Sequence, residues 1–227
     1  MTTVAELPAG FADKVLSAQT IFRSVMDAMA RPGSVQRVAA ASGSPAALMR
    51  GTAAIALTLF DHDTPVWLDP LLSETSDVGK WLKFHTGAPV ISDSSISGFA
   101  VIGDARALPG LDRFAFGTSE YPDRSTTVIL QVESLTQGVA FELRGPGIDG
   151  TAVLRATLQP ADLFERLAIN ATLFPRGIDV VLVADDAARQ GGAEGADHAL
   201  VSLCDKPRGS ASTPAPPTRG HTTIPRS

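Results

Sequence analysis

Residues 116–130 read FGTSEYPDRSTTVIL and join a polar turn to a run of β-branched and apolar side chains. Pro122 fixes its own φ and restricts Tyr121 to extended geometry, which predicts a turn at this point. The run from 128 to 130 is typical of a buried strand. The stretch therefore predicts polar groups held in fixed directions at the start of a strand.

Four polar side chains stand between this turn and the strand: Asp123, Arg124, Ser125 and Thr126. An arginine fork beside hydroxyl groups and free loop amides suits the oxygens of a phosphate or a carboxylate, and Asp123 would orient Arg124. The alternative is an Asp123–Arg124 pair that only closes the turn, since exposed pairs of this kind are common and weak. The chemistry of the turn leaves both interpretations open.

Apolar residues at spacings of three and four predict the helices. The first helix ends at 31–33, Arg-Pro-Gly, because proline cannot continue the hydrogen-bond ladder. Its expected core-facing stripe is Phe11, Val15, Ala18, Phe22, Val25 and Met29. A second helix is expected to begin with Ser44 as its N-cap and to continue to about Phe60. Two further helices are predicted at 76–85 and 160–173.

Short β-branched and aromatic runs between turn residues predict the strands, at 34–39, 66–69, 89–91, 99–102, 128–132, 139–143, 151–158 and 178–184. Residues 135–138 predict a hairpin loop that pairs 128–132 with 139–143. Together these elements indicate an α/β fold, a mixed β-sheet flanked by helices. From residue 186 onward the periodicity disappears, so we expect a single domain at 1–185 and a low-complexity, disordered tail at 186–227.

The overall charge and composition argue against several classes of protein. A net charge of -5 does not favour a nucleic-acid binder, and no apolar run is long enough to span a membrane. The first residues lack the basic and apolar regions of a secretion signal. A single cysteine, Cys204, cannot form an internal disulfide, so we expect a reducing, cytoplasmic location.

Common catalytic and cofactor motifs are absent from the sequence. Residues 145–150 match G-x-G-x-x-G, but strand-like residues stand on both sides, which predicts a β-turn-β connection and not a dinucleotide site. There is no phosphate-binding Walker loop, no G-x-S-x-G elbow and no His or Cys cluster of metal-binding spacing. We therefore expect no cofactor and no metal, and His62, between two aspartates, is expected to lie in a solvated turn.

His85 allows two interpretations. It precedes Thr86 and Gly87 at the predicted end of a helix, where a histidine commonly interacts with the last carbonyls and glycine adopts a left-handed conformation. It could equally serve as a general acid or base, or contact a phosphate, near neutral pH. Both interpretations remain open from the sequence.

Several stretches in one order resemble a known family, the PhnH proteins of the bacterial carbon–phosphorus lyase core complex. The resemblance spans about residues 11–184 and rests on FRSVMDAMARPG at 22–33, HTGAP at 85–89, YPDRS at 121–125, LRGPGI at 143–148, Asn170 and FPRGID at 174–179. The chain departs from the family after Ala184, where about forty residues of different composition follow. A frameshift or a lineage-specific extension would both produce such a tail.

The resemblance implies a sheet similar to the large domain of pyridoxal-phosphate transferases, without that cofactor. The sequence agrees, because the four lysines fall on predicted helices or in the tail and none is placed for a Schiff base. Family members are similar in acting with the PhnG, PhnI and PhnL proteins to couple an alkylphosphonate to ATP with release of adenine. They also pack against PhnG, PhnI and PhnJ, and form a homodimer when alone.

The expected surface for an anionic ligand or a partner combines the polar residues of these stretches at one edge of the sheet: Arg23, Arg31, His85, Asp123, Arg124, Ser125, Thr126 and Arg176. The ligand would be a phosphonate or an ATP-derived molecule. One alternative is a structural scaffold protein of the same complex, whose turns only hold an interface. Another is an independent enzyme that acts on a phosphorylated metabolite.

Overall fold

A computed structural model of the chain describes residues 11, 13–39, 41, 43–145, 147–185 and 198–203, the last of these through their backbone. Its helices are α1 (Lys14–Ala30), α2 (Arg50–Leu59), α3 (Pro70–Glu74), α4 (Ser76–Thr86) and α5 (Leu163–Ala171). Its strands are β1 (Gln36–Val38), β2 (Val66–Leu68), β3 (Val90–Ile91), β4 (Phe99–Ile102), β5 (Thr127–Gln131), β6 (Ser134–Leu143), β7 (Ala152–Thr157), β8 (Asp179–Ala184) and β9 (His198–Leu203). The predicted α/β fold with a mixed sheet is confirmed.

A seven-stranded sheet in the order β1-β9-β8-β5-β4-β2-β3 forms the centre of the fold. The strands from β8 to β3 are parallel, whereas β9 runs antiparallel to both of its neighbours, β8 and β1. The strands β6 and β7 form a separate two-stranded antiparallel sheet.

Each central strand contributes alternate side chains to two hydrophobic cores, because successive side chains of a strand point to opposite faces. On β5, Ile129 packs among residues of α1 to α4, whereas Val128 and Leu130 pack among residues of α5 and the β6–β7 sheet. All six residues of β8 are buried. The near-continuous apolar runs of β5 and β8 therefore follow from their burial on both faces.

The predicted hairpin between 128–132 and 139–143 is wrong. β5 pairs in parallel with β4 and β8, and β6 turns away to pair with β7. The Ser134 hydroxyl accepts hydrogen bonds from the backbone N–H groups of Thr136 and Gln137, which stabilises this change of direction. A short loop between two strands indicates only that they are close in sequence. Here β5 pairs instead with the buried strands β4 and β8, which are distant from it in the chain.

Two helix details also differ from the sequence prediction. α2 begins after Met49 and not at Ser44, since 45–48 form a turn closed by the bond from Leu48 N to Pro45 O. On α1 the buried residues are Ile21, Val25 and Ala28, while Val15 and Phe22 of the expected core-facing stripe are exposed. Apolar side chains occupy more of the surface of α1 than the hydrophobic core buries, so their spacing alone does not show which of them face the core.

The prediction of a disordered tail is wrong for residues 198–203. These residues, HALVSL, form β9 and pair with five residues of β8 and three of β1. The other tail residues, 186–197 and 204–227, lie outside the described part of the chain. Residues 198–203 contain four apolar side chains within a segment of polar and small residues, so the composition of the whole segment does not reveal this strand.

Candidate functional site

The turn at 116–125 lies at the amino end of β5. Pro122–Arg124 form a short 3-10 turn, and the guanidinium carbon of Arg124 lies 4.3 Å from the ring centroid of Tyr121. No ion pair joins Asp123 to Arg124 in the described structure. The expectation that Asp123 orients Arg124 is therefore wrong: the cation lies over the aromatic face of Tyr121, which attracts it through the ring quadrupole.

The hydroxyl of Thr126 is used inside the protein. It donates to Ser97 O at 2.6 Å and accepts from Ala115 N at 3.1 Å, and the residue is fully buried. Ser125 is also buried and forms a β-bridge with Phe116. The predicted role of Thr126 as a hydroxyl donor to a ligand is wrong, because a buried hydroxyl with two good partners stabilises the turn.

The turn that carries Arg176 is adjacent to this one, at the amino end of β8. The buried amide of Asn170 closes it, donating to Ile178 O at 3.0 Å and accepting from Ile178 N at 2.9 Å. The N–H of Gly177 donates to Phe116 O at 3.0 Å and so links the two turns directly. The structure thus brings Arg176 and the 121–126 segment together.

His85 lies elsewhere, in the last turn of α4. Gly87 ends that helix with a φ of 77°, as the C-cap interpretation requires. The imidazole packs against the rings of Trp81 and Phe84, with centroid distances of 4.7 and 5.0 Å. These contacts favour a structural position for His85 at a helix end.

Arg23 lies on α1 and Arg31 is the residue that caps its carboxyl end; both are exposed, and Arg31 forms an ion pair with Asp27 at 3.7 Å. The strand that follows Arg31 is β1, and the strand that follows His85 is β3; these are the two edges of the sheet. With about 4.8 Å between neighbouring strands, β1 and β3 are roughly 29 Å apart. One pocket formed by all eight predicted residues is therefore not present in a single chain.

The carboxyl ends of the parallel strands form a second candidate region. After β2 the chain enters α3, on the face of the sheet that α1 to α4 cover. After β4 it passes to the other face, where Ala105 and Leu108 pack in the core formed with α5 and the β6–β7 sheet. β2 and β4 are neighbours and their connections leave to opposite faces, so a topological switch point lies between them. In open α/β sheets ligands bind in the crevice at such a point.

Asp69 fills this switch point with a carboxylate of the protein itself. The residue is fully buried, and its Oδ1 accepts the N–H of Leu72 at 3.0 Å. Its Oδ2 accepts the N–H groups of Gly103 and Asp104 at 2.9 and 3.0 Å. The N-terminus of α3 and the turn after β4 therefore bind the side chain of Asp69, at the place where open α/β sheets commonly bind a ligand.

Two adjoining cavities of about 370 and 620 Å³ open at the carboxyl end of β5, and both are lined by Met49 and Gln131. The first is also lined by Gly103 and Asp104, whose N–H groups bind Asp69. In the first, Asp104 pairs with Arg106 at 3.0 Å, and this bond holds the pKa of the Asp104 carboxyl below its usual value. Since Asp104 already compensates Arg106, the cavity does not favour an anion over a neutral polar ligand.

Gln131 joins β5 to the loop before α2. Its side chain accepts from Met49 N at 2.7 Å and donates to Ala47 O at 3.2 Å, and it is buried. Sequence reasoning missed both Gln131 and Asp69. The usable signals were Asp-Pro directly after the strand 66–68, which marks an N-cap with proline at the first helical position, and a glutamine that ends an apolar strand.

Replacing Gln131 by alanine is expected to lower the free energy of unfolding by about 1–3 kcal/mol, because it leaves the amide of Met49 and the carbonyl of Ala47 without their buried partner. Urea denaturation followed by circular dichroism measures this. Gln137→Ala, an exposed change, is the control. Equal stability of the two variants would show that water replaces the glutamine and that the loop does not depend on it.

Among the described residues no helix is long and apolar enough to cross a membrane. Nor do three or more His, Cys, Asp or Glu side chains there come together in a group that could hold a metal ion.

The strand order and the switch point define the class: an open α/β protein with a doubly wound, mainly parallel sheet. A sequence profile described as "Bacterial phosphonate metabolism protein (PhnH)" matches residues 9–189. The chain is 47% identical over 188 residues to "Alpha-D-ribose 1-methylphosphonate 5-triphosphate synthase subunit PhnH" of Rhizobium meliloti (strain 1021), covering 82% of this chain and 94% of that protein. The chain therefore belongs to the PhnH family of bacterial phosphonate metabolism.

A second relative is "Putative C-P lyase subunit protein HtxG" of Stutzerimonas stutzeri. It is 30% identical over 187 residues, which cover 81% of this chain and 88% of that protein. Both names describe subunits of larger assemblies, and the family predicted from the ordered sequence stretches is confirmed.

Proposed function

We propose that this chain is a subunit of a carbon–phosphorus lyase system and takes part in phosphonate catabolism. The observation that carries the proposal is the 47% identity to a subunit of alpha-D-ribose 1-methylphosphonate 5-triphosphate synthase over nearly the whole of that protein. In this reaction a phosphonate oxygen forms a bond to the ribose carbon of ATP, and the bond to adenine breaks. The product keeps the triphosphate.

The partners follow from the same resemblance: PhnG and PhnI, a functional link to PhnL, and packing with PhnJ. A homodimer in the absence of those partners and a cytoplasmic location belong to the same proposal. So does a likeness of the sheet to the large domain of pyridoxal-phosphate transferases, with which the parallel strands β8 to β3 and the flanking helices are compatible. Superposition on that domain tests this last point.

Two roles for the amino-end turns remain within the proposal. Arg124 and Arg176 lie in adjacent turns, and either can bind phosphonate or triphosphate oxygens through charge-assisted hydrogen bonds. Alternatively, the same residues contact another protein of the complex, and the chain is a scaffold. Titration of the purified chain with ATP and methylphosphonate, alone and with its partner proteins, separates the two roles.

A strain that lacks this gene is expected not to grow with methylphosphonate as its sole phosphorus source, because the phosphonate is not attached to ribose. Growth on inorganic phosphate is expected to be unchanged. A plasmid copy of the gene should restore growth on methylphosphonate. Normal growth of the deletion strain on methylphosphonate would refute the proposed role, and turnover of a phosphorylated metabolite by the isolated chain would favour an independent enzyme.

A further inference from the structure

Two adjacent turns at the amino end of the sheet carry the same combination of residues. One turn has Tyr121 followed by Pro122, with Arg124 at its end; the other has Phe174 followed by Pro175 and Arg176. The Tyr121 and Phe174 side chains are 52% and 57% exposed, and both arginines are exposed. We call the four residues Tyr121, Arg124, Phe174 and Arg176 the aromatic–arginine surface.

The backbone beneath this surface is held firmly. Gly117 has a φ of 71°, and a Cβ at this position would lie only 2.9 Å from Tyr121 O, so the turn closes tightly on glycine. Thr126 and Asn170 fix the two turns from within, through the buried hydrogen bonds given above. The bond from Gly177 N to Phe116 O joins the turns. The backbone that carries the two exposed rings is therefore held in place by buried hydrogen bonds.

Both arginines keep donors available for an external acceptor. The guanidinium carbon of Arg124 lies over the Tyr121 ring, and the N–H groups of this side chain form no hydrogen bond with any described residue. Within the described chain neither Arg124 nor Arg176 forms an ion pair with a carboxylate. Tyrosine, phenylalanine and arginine are enriched in the cores of protein–protein interfaces, and tyrosine and arginine are also enriched among the residues that dominate binding energy.

We propose that the aromatic–arginine surface is the site at which this chain binds another protein of the lyase complex, through a partner segment whose carboxylates meet Arg124 and Arg176 while apolar side chains cover Tyr121 and Phe174. This inference rests on the proposed function, and it assigns the amino-end turns to protein contact in place of ligand contact.

Charge and exposure favour a folded protein over a polyanion or a small ligand. Glu120 and Asp123 are exposed on the same turn as Arg124, and the chain carries a net charge of -5, so a uniformly acidic polymer is repelled. A protein can place carboxylates opposite the arginines and a cation opposite Glu120. Small ligands are bound by sites that bury most of their surface, whereas both rings here stand more than half exposed.

The experiment uses the full-length chain and the remaining lyase proteins of the same organism, co-expressed. Binding of the purified chain to that assembly is measured by biolayer interferometry. We expect the double variant Arg124→Glu/Arg176→Glu and the single variant Phe174→Ala each to weaken binding by about thirtyfold or more, the loss typical of central interface residues. Matched controls are Arg155→Glu and Phe84→Ala, which change exposed residues elsewhere on the chain. Equal melting temperatures confirm that all variants are folded.

Each outcome has one meaning. Wild-type binding together with unchanged binding of the double variant and of Phe174→Ala overturns this inference and leaves the proposed function intact. If the wild-type chain itself fails to bind the other lyase proteins, the proposed function and this inference both fail. If the isolated chain binds ATP, and Phe174→Ala removes that binding without affecting assembly, the surface is a nucleotide site and the docking assignment is wrong.

Discussion

Truncation of the chain after Asp185 is expected to abolish cooperative folding. The truncation removes β9, which pairs with Val180–Ala184 on one side and with Gln36–Val38 on the other. The backbone groups of β8 that bind β9 would lose their partners in the middle of the sheet, and each unpaired buried group costs about 1–3 kcal/mol. The sum approaches the whole stability of a typical domain, about 5–15 kcal/mol.

Thermal unfolding followed by circular dichroism, together with gel filtration, measures this effect. The control is a chain that ends at Leu203, because removing 204–227 leaves every described strand pair in place. We expect that control to melt as one cooperative transition and the shorter chain to aggregate or melt without one. If both truncated chains unfold like the full-length protein, residues 198–203 contribute nothing to the sheet and its assigned strand order is wrong.

Replacing Asp69 by alanine is expected to lower the free energy of unfolding by about 3 kcal/mol or more. The change leaves three backbone N–H groups, those of Leu72, Gly103 and Asp104, without their buried acceptor. For a chain of this size the melting temperature should fall by roughly 6–12 °C. Asp69→Asn should recover part of the loss, since it keeps one acceptor oxygen but turns an NH₂ donor toward other donors.

Asp93→Ala is the matched control for Asp69. Asp93 also accepts a backbone N–H at the start of a short helical turn, but it is exposed, and water can replace it. A loss of less than about 1 kcal/mol is expected there. Similar small losses at both positions would mean that the switch point is open to water and available to an external anion.

Local sequence patterns predicted the elements of this fold better than their pairing. The turn and strand at 116–130 and the apolar run at 178–184 were confirmed, because strands buried on both faces need apolar residues at every position. The pairing of β5 with β4 and β8 and the position of β9 were missed. Both depend on contacts between residues far apart in the chain, which periodicity does not record.

The candidate site shows the same division. Sequence chemistry predicted that Arg124 and Arg176 belong together, and the two turns do touch through Gly177 and Phe116. It did not predict that the Thr126 hydroxyl donates to a buried backbone carbonyl. Nor did it predict that Asp69 accepts three backbone N–H groups at the carboxyl end of the parallel strands. Those roles follow from burial, which a polar residue in a sequence does not reveal.

The position of β9 between β8 and β1 has a consequence for folding during synthesis. Gln36 pairs with Leu200, so one of the first strands to be made joins the sheet only through one of the last. Contacts of such high sequence separation slow folding, and until they form the β8 edge is exposed to other chains. We therefore expect the nascent chain to rely on chaperones until β9 has been synthesised, and expression at low temperature to raise its yield.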